Sequence, residues 1–222
     1  MNNTRLLAAA CPHSAPPITA AGLRLVAVAL RLGAKACEPH TCVCGKAVDA
    51  HGLHGLSCHR STPRQQRHSH FNDILWRAIK RAQMPAVKEP ISLMWDDKKC
   101  PDGTTLLPWA RGKPMAWEVT VPDTYAESHI GSTATKPGAA AQKTAQNKID
   151  KYSKLASTHI YPFAIETAGT WHEMAIELTQ EIDRHITTVT EDTHKTTFFF
   201  KRLSMALQRG NAASFHNTMV TE

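Results

Sequence analysis

Apolar residues recur at helical spacing over 70–83, where Phe71, Ile74, Leu75, Ala78, Ile79 and Ala82 fall on one stripe. The pattern predicts a helix there, ended by Pro85. It then changes to extended runs. Strands are predicted over 87–94, 103–109 and 115–121, joined by a charged turn at 96–99 and by Arg111-Gly112-Lys113, as in an antiparallel meander. A second helix is predicted over 137–158, with Pro137 in its first turn ahead of an Ala/Gln/Lys-rich run. A fourth strand follows over 161–167. A helix over 171–189 carries Met174, Leu178 and Ile182 at helical spacing, and a last helix over 196–208 is predicted to stop at Gly210-Asn211.

The N-terminal third lacks these patterns. Pro12, Pro16 and Pro17 among small residues read as a linker. An apolar stretch over 22–35 reads as a short amphipathic helix, because Arg24 and Arg31 interrupt it and exclude a membrane span. Residues 37–68 are rich in Cys, His, Gly and Arg and poor in large apolar side chains, so something other than a core must order them. The chain as a whole is 42% apolar with a formal charge of +7. That balance favours a polyanionic partner, nucleic acid first.

The six cysteines are Cys11, Cys37, Cys42, Cys44, Cys58 and Cys100, and no secretory signal precedes them. Clustered Cys and His in an intracellular chain point to metal rather than disulfides. Cys42, Cys44, His54 and Cys58 supply the four ligands that a tetrahedral Zn2+ prefers, and zinc would order a segment with little core. His51, His59 or His68 can replace His54 in that set, and Cys37 can replace a cysteine. Arg60, Arg64, Arg67 and His68 form a basic stretch suited to phosphate contact, which Trp76, Arg77, Lys80 and Arg81 would extend.

Candidate chemistry gathers around two carboxylates. Pro101-Asp102-Gly103 opens the second strand, and alone it is a turn signature. In the third strand Trp117, Val119 and Val121 point one way, whereas Glu118 and Thr120 point the other. An acid amid such a strand is costly unless it is paired or binds a metal. If the two strands are neighbours, Asp102 and Glu118 converge at one sheet edge and make a site for Mg2+ or Mn2+. The alternative is an ion pair of Glu118 with Lys99 or Lys113. Glu89 and Glu166 lie in strand-like runs, where ion pairing is the simpler role. Lys148, Lys151 and Tyr152 share one face of the second helix.

The Pro-Asp dipeptide with an acid on the next strand resembles the PD-(D/E)XK nuclease superfamily. More closely, the order from about residue 37 to 155 is similar to the restriction-like endonuclease domain at the C-terminus of non-LTR retrotransposon polyproteins. There a CCHC zinc knuckle precedes the Pro-Asp motif, a carboxylate and a helical lysine. His51-Gly52-Leu53-His54-Gly55-Leu56-Ser57-Cys58, Leu107-Pro108-Trp109 and the segment 203–211 look like C-terminal pieces of retroelement reading frames. Two positions depart from the pattern: Thr120 stands where the superfamily has lysine, and Cys100 where this family has a basic residue.

The resemblance implies an α/β (α+β) fold with a restriction-endonuclease-like core of helix, three strands, helix and strand. It also implies a metal-dependent DNA endonuclease that nicks with Asp102, Glu118 and Lys148 or Lys151. The expected division is a linker and short helix over 1–35, a zinc knuckle over 36–68, the nuclease core over 69–190 and a C-terminal helix and tail over 191–222. The expected cofactors are structural Zn2+ and catalytic Mg2+ or Mn2+, with no small-molecule cofactor. The expected partner is DNA or an RNA–DNA target complex in an intracellular, nuclear setting, away from membranes. The alternative is a decayed retroelement remnant that binds nucleic acid without cutting.

Overall fold

A computed structural model describes residues 20–90, 100–153, 155, 157–191 and 195–219. The expectations placed on the Pro-rich linker and Cys11, on 91–94, on the charged turn at 96–99 and on Lys99 lie outside the described residues. The chain forms two compact units. One comprises the chain up to Arg67 with the segment from Ser204, and the other comprises His68–Leu203.

The first unit contains helix α1 (Ala20–Leu32), the hairpin strands β1 (His40–Thr41) and β2 (Ala47–Val48), and the single-turn helix α2 (His54–Ser57). It also includes the beginning of α3 (Thr62–Arg81) and the end of α7 (Lys195–His216). The second unit holds the rest of those two helices. Between them in sequence lie β3 (Ala86–Lys88), β4 (Gly103–Thr105), β5 (Met115–Thr120), α4 (Glu127–Thr133), α5 (Ala139–Tyr152), β6 (His159–Ala164) and α6 (Glu173–Thr190). The fold class is mixed α/β, in the expected order of helix, three strands, helix, strand and closing helices, with the short helix α4 added before α5.

The sheet order is β3-β4-β5-β6. The first three strands form the antiparallel meander, with Gly103↔Trp117 and Thr104↔Ala116 paired between β4 and β5. β6 returns parallel to β5, with Glu118↔Pro162 and Thr120↔Ala164 in register, and α4 and α5 lie in the crossover. β5 is therefore an interior strand, and Met115–Val119 are buried on both faces. On one face Trp117 Nε1 donates to Asn72 Oδ1 of α3 at 2.8 Å, and Phe71 of α3 meets Phe163 of β6 at 6.4 Å between centroids. On the other face Ala164 packs with Ala141 and Ala145 of α5. Those small residues let α5 approach the sheet closely, which brings its longer side chains onto β5.

Several bounds differ from the sequence expectation. α3 starts eight residues before residue 70, because Pro63 suits a first turn and the polar run 64–70 hides the helical period. β4 ends at Thr105, and Leu106 and Leu107 are exposed. α5 ends at Tyr152, short of residue 158. α7 does not stop at Gly210-Asn211 but continues to His216. The reason is packing: a Cβ at Gly210 would stand 2.7 Å from Arg67 Cγ, and Asn211 Oδ1 accepts from Arg67 Nη1 at 2.6 Å. The pair that reads as a helix stop is the seat for a buried arginine.

Candidate functional site

In the second unit the β4–β5 ladder ends at Gly103↔Trp117, and Asp102 stands just beyond it. Its Oδ2 accepts from a β5 amide, Val119 N, at 2.6 Å, and also bonds His68 Nε2 at 3.1 Å. Asn72 Nδ2 donates to the Asp102 carbonyl at 3.3 Å while its Oδ1 holds Trp117. The glycine of Pro101-Asp102-Gly103 is required by the Trp117 ring, since a Cβ at Gly103 would lie 1.9 Å from Trp117 Cζ2. The motif is thus a strand start packed under an indole, with its carboxylate tied to the neighbouring strand.

Glu118 is 7% exposed on the face covered by α5. Lys148 Nζ lies 2.5 Å from Glu118 Oε1, and the Tyr152 hydroxyl donates to Oε2 at 3.2 Å. Residues 148 and 152 are one helical turn apart, so both reach the same carboxylate. Lys151 reaches it only through Tyr152, donating to the phenol oxygen at 2.8 Å and lying 4.5 Å from its ring centroid. The cation beside Glu118 is therefore Lys148.

The electrostatics join the two carboxylates. The hydrogen bond to Asp102 raises the His68 pKa against the opposing effect of burial, and the charge of Glu118 adds to the rise. Burial and then the charge of Glu118 raise the Tyr152 phenol, with Asp102 contributing, so at neutral pH it stays protonated and donates. Burial also pushes the Cys100 thiol up. Glu166 stands apart from the pair. Its Oε1 accepts from Ala140 N at 2.9 Å and Ala141 N at 3.2 Å, and its Oε2 accepts from Thr124 Oγ1 at 3.3 Å. It caps the first turn of α5, where a negative charge meets unpaired amides. Glu89 is exposed, and its backbone N donates to the Asp102 carbonyl at 3.0 Å.

In the first unit Cys42 and Cys44 come from the β1–β2 turn, and His54 and Cys58 from α2 and its C-terminal edge. Their ligand atoms all lie within 4.8 Å of one another. Cys42 Sγ is 3.7 Å from Cys58 Sγ, and Cys44 Sγ is 3.2 Å from His54 Nε2. A tetrahedron with Zn–S bonds of about 2.3 Å has S–S edges of roughly 3.8 Å, so the donor set fits Zn2+. Burial pushes the Cys42 thiol up to about 11, whereas a backbone hydrogen bond from Lys46 lowers Cys44. Burial lowers the His54 pKa, which favours the neutral imidazole that ligates metal. Cys37 does not join the cluster, because its Sγ turns to the carbonyls of Asp49 and Ala50.

The expected basic surface is dispersed. Arg60 Nη1 donates to the Val43 carbonyl at 3.1 Å, closing the cysteine turn, while Arg64 is exposed on α3. Arg67, expected to contact phosphate, is 3% exposed and bonded to Asn211. His68 turns to Asp102. Arg77, Lys80 and Arg81 are exposed further along α3, and Lys80 Nζ covers the Trp76 ring at 4.8 Å. The partnerships of His68 with Asp102 and of Arg67 with Asn211 escaped sequence reasoning, since the partners are 34 and 144 residues away. No helix among the described residues is long and apolar enough to cross a membrane. Neither protein-family models nor the curated proteins match this chain.

Proposed function

We propose that this chain carries a metal-dependent DNA endonuclease domain derived from a retrotransposon polyprotein, with a zinc knuckle upstream of it. The observation that carries the proposal is Glu118, an acid buried on an interior strand, bonded to Lys148 and adjoining the strand β4 that Asp102 immediately precedes. A buried acid with its own cation on a covering helix is costly scaffolding and useful chemistry. Asp102 and Glu118 would hold the Mg2+ or Mn2+ ion. When bound, the ion supplies an activated water and offsets charge on the phosphate. Lys148 brings a positive charge to the place where phosphate charge grows, and Tyr152 fixes the orientation of Glu118. His68 and Val119 N fix Asp102 in the same way.

Charge supports a nucleic-acid substrate. α1 and α7 contain no acidic residue. Between them Arg24, Arg31 and Arg209 line a cavity of about 480 Å³ in the first unit. DNA, or an RNA–DNA target complex in the nucleus, is the polyanion this reading requires.

Nicking of supercoiled plasmid under Mg2+ or Mn2+ tests the proposal. Activity is expected in the parent chain and absent in Asp102→Asn. A second reading, binding without cutting, is favoured by one observation. Both Glu118 oxygens and Asp102 Oδ2 already have protein partners, so these three oxygens are held without a cation. Plasmid binding with no cutting under either metal would select that reading.

A further inference from the structure

We propose that the Cys42/Cys44/His54/Cys58 cluster is a metal-operated clamp on the C-terminal end of α7. The proposal rests on the zinc-binding reading and adds a consequence to it. Both halves of the ligand-bearing segment bear on residues 214–218. From the first half, His40 Nε2, two residues before Cys42, pairs with Thr218 Oγ1 at 2.9 Å. From the second, Gly52 and Gly55 flank the ligand His54 and form the floor under Phe215. A Cβ at Gly52, which has φ +69°, would stand 2.1 Å from Phe215 Cε2. A Cβ at Gly55 would stand 2.7 Å from Phe215 Cα and 3.1 Å from the Ser214 carbonyl oxygen. Phe215 is 1% exposed, so its ring depends on this seat for burial.

The seat cannot order itself. Its regular structure is two two-residue strands and a four-residue helix, and its core cluster is Cys42, Val48 and Cys58, two of them ligands. Elements that short are not stable alone in water. Metal binding supplies the missing free energy in such segments. The metal therefore favours the ordered seat, and the ordered seat favours docked Phe215 and Thr218. By linkage, the docked helix end must raise metal affinity by the same factor as the metal raises docking. The end of α7 thereby reports, and can regulate, occupancy of the cluster.

The test uses the full chain purified with Zn2+. Metal content is measured by atomic absorption and backbone protection by hydrogen exchange, before and after treatment with EDTA. The expected result is one zinc per chain, with exchange in 211–219 at least tenfold faster once the metal is removed and slow again after Zn2+ is restored. Protection of β5 is expected to persist, showing that the second unit stays folded. Phe215→Leu, and the milder Thr218→Val, are expected to retain one zinc but to lose it at a several-fold lower chelator concentration. One zinc with unchanged protection of 211–219 on its removal would overturn the clamp and leave the zinc site standing. So would unaltered chelator resistance in both variants. A chain that binds no zinc overturns the zinc-binding reading and the clamp together.

Discussion

Lys148 on α5 and Glu118 on β5 meet with Nζ 2.5 Å from Oε1, although 30 residues separate them. The glutamate side chain is 9% exposed and the lysine 26%, so water screens the pair poorly on one side and partly on the other. Removing one partner of a buried pair costs about 3–5 kcal/mol, mainly because the other charge is stranded. The partial exposure of Lys148 lowers the expectation for Lys148→Met to about 2–3 kcal/mol in urea unfolding. The double variant Lys148→Met with Glu118→Leu is expected to regain most of that loss. Lys151→Met, which removes a bond to the Tyr152 hydroxyl rather than to Glu118, is expected to cost under about 1 kcal/mol. Equal costs for the two lysine variants would contradict the assignment of Lys148 as the partner.

The His68–Asp102 bond predicts a pH dependence of stability. The folded His68 pKa lies above its ordinary value of 6.5. Its contribution is therefore complete below pH 6.5 and is lost as pH rises through the folded value. The urea midpoint is expected to fall over that interval, and His68→Gln to flatten the fall. An identical pH profile in the variant would show that the bond does not carry this linkage.

Gly103→Ala tests the packing of the Pro101-Asp102-Gly103 motif. The added Cβ would lie 1.9 Å from the Trp117 ring, so the indole or the strand must move. Overpacking of this kind costs about 1–3 kcal/mol. A lower melting temperature and an altered tryptophan fluorescence spectrum are expected. A variant with the parent's melting curve would mean that the glycine serves only as a turn residue.

Cobalt substitution tests the ligand set of the cluster. Co2+ in a tetrahedral thiolate and imidazole site gives intense visible bands absent from octahedral Co2+. Those bands are expected in the parent and in Cys37→Ser, and are expected to weaken or shift in Cys44→Ser and Cys58→Ser. A loss of intensity in Cys37→Ser would put that thiol among the ligands in place of one of the three chosen.

The sequence was most informative where the relevant spacing is short. Cys42, Cys44, His54 and Cys58 fall within 17 consecutive positions, so a small loop brings them together whatever surrounds it. The meander over β3 to β5 was legible because strands consecutive in sequence tend to pair, here across the connections 89–102 and 106–114. The helical period placed Lys148, Lys151 and Tyr152 on one face of α5. By itself the sequence thus determined the order of the main core elements, apart from α4, the Cys/His segment that supplies the tetrad, and the presence of an acid on a strand rich in apolar residues.

Only the tertiary structure decided the partners. Which lysine meets Glu118 depends on how closely α5 approaches β5, set by Ala141, Ala145 and Ala164 rather than by any charged residue. The burial of Arg67 depends on Gly210 and Asn211 in a distant helix, so a local reading mistakes the arginine for a surface cation and the glycine for a stop. The role of His68 depends on where the β4–β5 ladder ends, since its partner Asp102 is the first residue beyond that ladder. Periodicity and spacing act along the chain, whereas the cost of burying a charge is met across it by residues whose nearness only packing determines.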